Sequence, residues 1–282
     1  MTLELLDSLF LPGDPAKPND DAFAHFARAA VVMDGATSLG DPLMPGKSDA
    51  AWIAHFGARR LMAHLQDGDA PADALTHALA DAEKSFKTLA RRAPSERYEI
   101  PYAAMMLAVE RAGGIEALWF GDCACLLRRP GETAALIGEA LDKKQAERNR
   151  AARLASAKGV APAASVNLAA FLPALRKARN RLNTQGGGWA FAPDPAAAPH
   201  VSRAAFAAPP GTLLLLASDG FLALVSDYNC HDAESLLAAA EAKGLAALGA
   251  ELRAVEAGDP SGEKFPRFKT SDDATALLLR VG

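Results

Sequence analysis

Five acidic positions stand where an apolar run meets a turn. They are Asp20-Asp21 in "NDDA", Asp34 in "VVMDGAT", Asp122 in "FGDC", Asp219 in "LLLLASDGF" and Asp272-Asp273 in "TSDDATALLL". Such edges are half buried, and a lone ionised carboxylate there is costly unless a partner or a cation neutralises it. Several converging carboxylates repel one another and raise each other's pKa. A hard divalent cation relieves both problems, and an all-oxygen donor set suits magnesium or manganese. Taken singly, each site is an ordinary turn signal, because Asp-Gly ends many strands. Their number and shared context carry the argument.

Elements must bring these acids together. "LELLDSLFL" reads as a strand, and "DPAKPNDDA" as a turn-rich stretch. "AFAHFARAAVVMDG" is strand material ending at Asp34. Ser48 is a good N-cap for a helix through 49–66, with Trp52, Ile53, Phe56, Leu61 and Leu65 at roughly helical spacing. A second helix follows, capped by Asp69 or a neighbour, with Pro71 in its first turn. From 102 to 137, Gly113-Gly114 and Pro130-Gly131 punctuate three strand-like runs that predict an antiparallel meander. Two polar or amphipathic stretches, 139–159 and 165–183, read as surface helices. "TQGGGWAFAPDP" is a glycine-rich loop into a short strand, and strands flank Pro209-Pro210. Helices reach about Val255, and a last strand follows Asp273. Strands clustered in hairpins predict antiparallel sheets with helices outside. The expected organisation is one domain over 1–282 with a helical insert at 139–199.

Composition narrows the class. The chain has 282 residues, half of them hydrophobic, enough for a large core. A net charge of −4 shows no basic face for nucleic acid. Cys123, Cys125 and Cys230 form no disulfide framework, and a single C-x-C reads as small apolar side chains on a strand. The N-terminus lacks the pattern of a signal peptide, and no run approaches the ~20 apolar residues of a membrane span. A soluble, cytoplasmic, monomeric protein is expected.

The order of the acidic motifs resembles that of the type 2C serine/threonine protein phosphatases, a metal-dependent family, and the chain reads as a divergent bacterial-type member. The family signature runs Asn-Glu-Asp, Asp-Gly-x-Gly, Gly-Asp-Ser-Arg, Ser-Asp-Gly, then Asp-Asn or Asp-Asp followed by x-Thr. Here "NDD", "DGATS", "GDCA", "SDGF" and "DDAT" follow in that order between residues 19 and 275. The resemblance implies an α+β fold, a four-layer α-β-β-α sandwich with two central antiparallel sheets. It implies two Mg²⁺ or Mn²⁺ ions, with a third held more loosely. Asp34 would bridge two ions, helped by the Gly35 carbonyl. Asp219 and Asp272 would hold the first ion and Asp20 the second. Asp21 would bind metal-bound water, and Asp122 would serve the third ion. The implied substrate is a phosphoserine or phosphothreonine protein, attacked in line by a metal-bridging hydroxide.

The chain departs from the signature at several points. Asp20 stands where the family usually has Glu. Ala16 stands where it often has a phosphate-gripping Arg, and Lys17 beside it is the substitute expected to bind substrate. "DGATS" lacks the second Gly, and Cys123-Ala124 replace Ser-Arg. Two readings of Arg176, Lys177, Arg179 and Arg181 stay open: a phosphate-binding face toward the acids, or a solvated face. A non-catalytic phosphoprotein-binding module is the alternative function. A haloacid-dehalogenase reading fails because Asp34 is followed by Gly35-Ala36 rather than x-Asp.

Overall fold

The computed structural model describes residues 1–140, 168–265, 267 and 269–282. Among them, ten strands form two antiparallel sheets. The strands are β1 (Leu3–Leu11), β2 (Asp21–Phe26), β3 (Ala29–Gly35), β4 (Ala103–Arg111), β5 (Gly114–Phe120), β6 (Ala124–Arg128), β7 (Ala135–Ile137), β8 (Ser202–Ala207), β9 (Leu213–Ala217) and β10 (Ala274–Val281). One sheet has the order β1-β10-β9-β6-β7 and the other β2-β3-β4-β5-β8. The helices are α1 (Asp49–Gln66), α2 (Pro71–Leu89), α3 (Leu168–Arg179), α4 (Asp219–Ser226), α5 (Ala233–Lys243) and α6 (Leu245–Ala257).

Strand parity explains the layering. Side chains alternate between faces. On β3, Val31 and Met33 face α1 and α2, while Ala30 and Val32 face the opposite sheet. On β9, Leu213 and Leu215 pack toward α4, α5 and α6, while Leu214 and Leu216 face the opposite sheet. Both faces of each central strand are therefore apolar, and the runs read as continuous rather than alternating hydrophobics. The result is an α+β sandwich with helices outside two packed antiparallel sheets, as expected.

One local expectation is corrected. The run 102–137 is not one meander. β4 and β5 form a hairpin in one sheet, but β6 pairs with β7 and β9 in the other. Gly121, at φ 77°, turns the chain between sheets, a conformation that a residue with a Cβ rarely adopts. α2 starts at a neighbour of Asp69: its N-cap is Ala70, whose methyl side chain offers no acceptor, and the Asp69 carboxylate is turned to His77. Ser48 does cap α1, accepting from the Ala51 amide at 3.1 Å. The helix expected at 139–159 falls mostly outside the described residues. The short strand expected near Trp189 is a single bridge, Ala103 to Phe191.

Candidate metal centre

The termini of the strands place the acids. β2, β4, β6 and β10 begin, and β3, β5, β9 and β1 end, at one edge of the sandwich, as the antiparallel registers require. Asp21 opens β2 and Asp34 closes β3, directly opposite in register. Directly opposed residues in an antiparallel pair hold their Cβ atoms about 5 Å apart, and like charges there repel. Parity sends both side chains to the face that carries Val32, the layer between the sheets. Asp219 lies two residues past the end of β9, Asp122 two before β6, and Asp272-Asp273 just before β10.

The adjoining acid Asp20 points the other way. Its carboxylate accepts a hydrogen bond from the Ser48 hydroxyl at the start of α1. Asp273 is a brace: its carboxylate accepts from the Gly13 amide at 2.7 Å and the Asp20 amide at 2.6 Å. Asp272 faces a cation, with Lys269 Nζ 2.7 Å from its Oδ1. Lys269 was not singled out from sequence; a cation three residues before an acid was the available signal. Ser218 and Thr275 clasp β9 to β10, the Thr275 amide donating to Ser218 Oγ at 3.0 Å.

Asp21 is 1% exposed, and neither of its carboxylate oxygens has a hydrogen-bond partner. Burial pushes its pKa up, and Asp273 and Asp219 add to the effect. The nearby Ser218 and Thr275 hydroxyls offset part of this without making hydrogen bonds of ordinary geometry. Asp34 is raised well above the ordinary carboxylate value, first by burial and then by Asp21, Asp219, Asp272 and Asp122. Four acidic sites thus act on the fifth, in keeping with the strand ends that the registers bring to one edge. Asp20 is raised by burial, with its Ser48 bond opposing. Cys123 is fully buried, and burial followed by the field of Asp34 and Asp122 pushes its thiol far up. It is no nucleophile.

The donor set fits a hard cation. All side-chain donors are carboxylate oxygens, and the orphaned oxygens of Asp21 need a positive partner. The carboxylates are nonetheless spread: among the described residues, no three of them bring oxygens within 4.8 Å of one another. Magnesium tolerates this, since it commonly takes one or two carboxylates and keeps several waters.

The loop after Asp34 is held closely. A Cβ on Gly35 would lie 2.4 Å from the Ala50 carbonyl oxygen and 2.5 Å from that of Asp20. Gly35→Ala is therefore expected to destabilise the chain by about 1–3 kcal/mol. Urea unfolding checks this, and an unchanged midpoint would show that the loop yields freely. Across the site, a Cβ on Gly220 would meet the Asp273 carbonyl oxygen at 2.0 Å.

The basic residues of α3 reach the same loop from outside. Arg176 donates to the Leu39 carbonyl at 2.7 Å and lies over the Tyr98 ring, and Arg179 donates to the Thr37 carbonyl. Lys177 is exposed, and Arg181 bonds the Gly186 carbonyl. Lys17 is solvated, its Nζ 3.2 Å from Asp14.

Among the described residues, no helix is long and apolar enough to cross a membrane. No curated protein matches the chain. Solved structures do. The catalytic domain of the serine/threonine phosphatase PstP, crystallised with two manganese ions, is 16% identical with a TM-score of 0.57, covering 99% of this chain and 98% of its own. MsPP from Mycobacterium smegmatis, in complex with cacodylate, is 17% identical at TM-score 0.55, covering 99% and 100%. PppA, a regulatory component of the type VI secretion system in Pseudomonas aeruginosa, is 18% identical at TM-score 0.56, covering 99% and 98%. At these identities the likeness speaks to the fold. The profile of the family described as Protein phosphatase 2C matches residues 15–253, most of the chain, so the protein belongs to the protein phosphatase 2C family.

Proposed function

We propose that this chain is a metal-dependent phosphomonoester hydrolase acting on phosphoserine or phosphothreonine in proteins. One observation carries the reading: Asp21, buried with both oxygens unpartnered, opposes Asp34 at the edge where Asp219, Asp272 and Asp122 also converge. When bound, Mg²⁺ or Mn²⁺ supplies positive charge for the phosphoryl oxygens and acidifies a water. Asp34, Asp219, Asp272 and the Gly35 carbonyl are the proposed holders, and Asp122 serves a more peripheral ion. Between the two acids of "NDD", the inner place goes to Asp21. Asp20 acts one step removed, through Ser48.

The chain's own residues do the rest. Gly35 lets the end of β3 approach the start of α1 and the Asp20 backbone, and Gly220 lets the start of α4 approach the Asp273 backbone, which holds the acidic segments close. Asp273 holds the 13–20 loop against the start of β10. Lys269 balances Asp272 and offers a cation at the rim for phosphate. The reading is tested by hydrolysis of para-nitrophenyl phosphate and a phosphothreonine peptide. Activity that requires added Mn²⁺ or Mg²⁺ and vanishes with chelator is expected; no turnover with any divalent ion would overturn it.

A second reading, a phosphoprotein-binding module without turnover, is favoured by the solvated position of Lys17, the substitute for the missing phosphate-gripping Arg. Calorimetric titration separates the two, because a chain without measurable affinity for Mn²⁺ matches only the second.

A further inference from the structure

We propose that His64, Asp69 and His77 form a second cation site, suited to zinc, at the turn between α1 and α2. It is separate from the strand-end acids. His64 lies 16 residues along α1 from Ser48, which is about 24 Å at 1.5 Å per residue. Nothing in this proposal depends on catalysis at the other site.

The three side chains come from three local settings. His64 sits in the last turn of α1, Asp69 in the connection, and His77 in the second turn of α2. One ligand atom from each lies within 4.8 Å of the others, the one group of three or more such residues among those described. Asp69 Oδ2 is 3.4 Å from His64 Nδ1 and 2.7 Å from His77 Nδ1. The imidazole rings are 5.3 Å apart, centre to centre. A tetrahedral zinc with bonds of about 2.0–2.1 Å spaces its ligand atoms about 3.3 Å apart. The His64 pair already meets that spacing. The His77 pair must open by roughly half an ångström, which its exposed side chain allows.

The far nitrogen of His64 points to a built site. Its Nε2 lies 2.8 Å from Asp81 Oδ2, and Arg60 holds the same carboxylate at 2.6 Å. A neutral imidazole has a single N–H. If Nε2 carries it toward Asp81, the Nδ1 lone pair faces the Asp69 carboxylate, a contact that a second ring proton or a bound metal cation resolves. A carboxylate on the outer nitrogen of a histidine is also how metal-bound imidazoles are oriented and made more basic. Asp81 is thus a positioning residue, and the Asp69 amide, which donates to the His64 carbonyl at 3.1 Å, fixes the turn. Imidazole nitrogens favour zinc over magnesium, so the two sites select different ions.

The test is calorimetric titration of the full chain with zinc, with excess magnesium present to occupy the strand-end acids. One zinc per chain is expected, together with a rise in melting temperature, because the ion binds only the folded form. His77→Asn, at an exposed position, is expected to weaken zinc at least ~10-fold and abolish the thermal shift. Asp81→Asn, which keeps all three ligands, is expected to weaken it about 10-fold. Zinc should also shift the imidazole NMR signals of both histidines. Absence of zinc binding would overturn the proposal. So would an affinity unchanged in both His77→Asn and Asp69→Asn, which would place the ion elsewhere.

Discussion

Asp34→Asn is expected to lower Mn²⁺-dependent hydrolysis by about 10³-fold or more, a loss of about 4 kcal/mol of transition-state stabilisation. The substitution keeps shape and removes the charge on which four other acidic sites converge. Asp21→Asn should cost about 10²–10³-fold, because it is buried opposite Asp34 and its oxygens have no other partner. Asp20→Asn should stay within about 10-fold, since an amide oxygen still accepts from Ser48. Steady-state rates at saturating Mn²⁺, with a Mn²⁺ titration for each variant, separate lost ion affinity from lost chemistry. If Asp20→Asn were as damaging as Asp21→Asn, the family-based assignment of Asp20 as the direct ligand would stand against the geometry.

The second large effect is on stability. Asp21 and Asp34 have pKa values raised in the fold, Asp21 to about 8, against an ordinary value of 3.8. Across that window the folded chain binds more protons than the unfolded one. Metal-free stability must therefore fall as pH rises from about 4 toward 8. A divalent cation that binds only the folded state reverses the trend. Melting temperatures in chelator should drop between about pH 5 and pH 7.5, and added Mn²⁺ should restore more at the higher pH. A metal-free chain that is equally stable at both values would show that burial and mutual repulsion do not raise these acids as the fold places them.

Much of this was legible in the residues. The five acidic spots and most of the strands that carry them follow from apolar runs broken by Gly, Asp and Pro, because local turn chemistry decides where a run stops. Ser48 was legible as a cap for the same reason. What was not legible depends on pairing. Nothing in "NDDA" says which acid faces Asp34; that is fixed by the register of β2 on β3. The jump of β6 to the other sheet is set by long-range partners, and the local signals of a meander are the same either way. Asp69 was a cap by type, yet its carboxylate found two histidines. Lys269 meets Asp272 in a loop that has no periodicity to read.

The position of β10 has a consequence for how the molecule comes into being. This strand lies between β1 and β9, and Asp272 and Asp273 stand at its start. During synthesis β1 precedes its sheet partner by some 260 residues and must wait for it. Until Asp272 and Asp273 are held in place by the pairing of β10, the Gly13 and Asp20 amides lack their carboxylate and the acidic cluster lacks one of its corners. A nascent chain therefore cannot assemble the centre early. β1 and β10 close the sheet together, and cation binding becomes a report that β10 has docked beside β1.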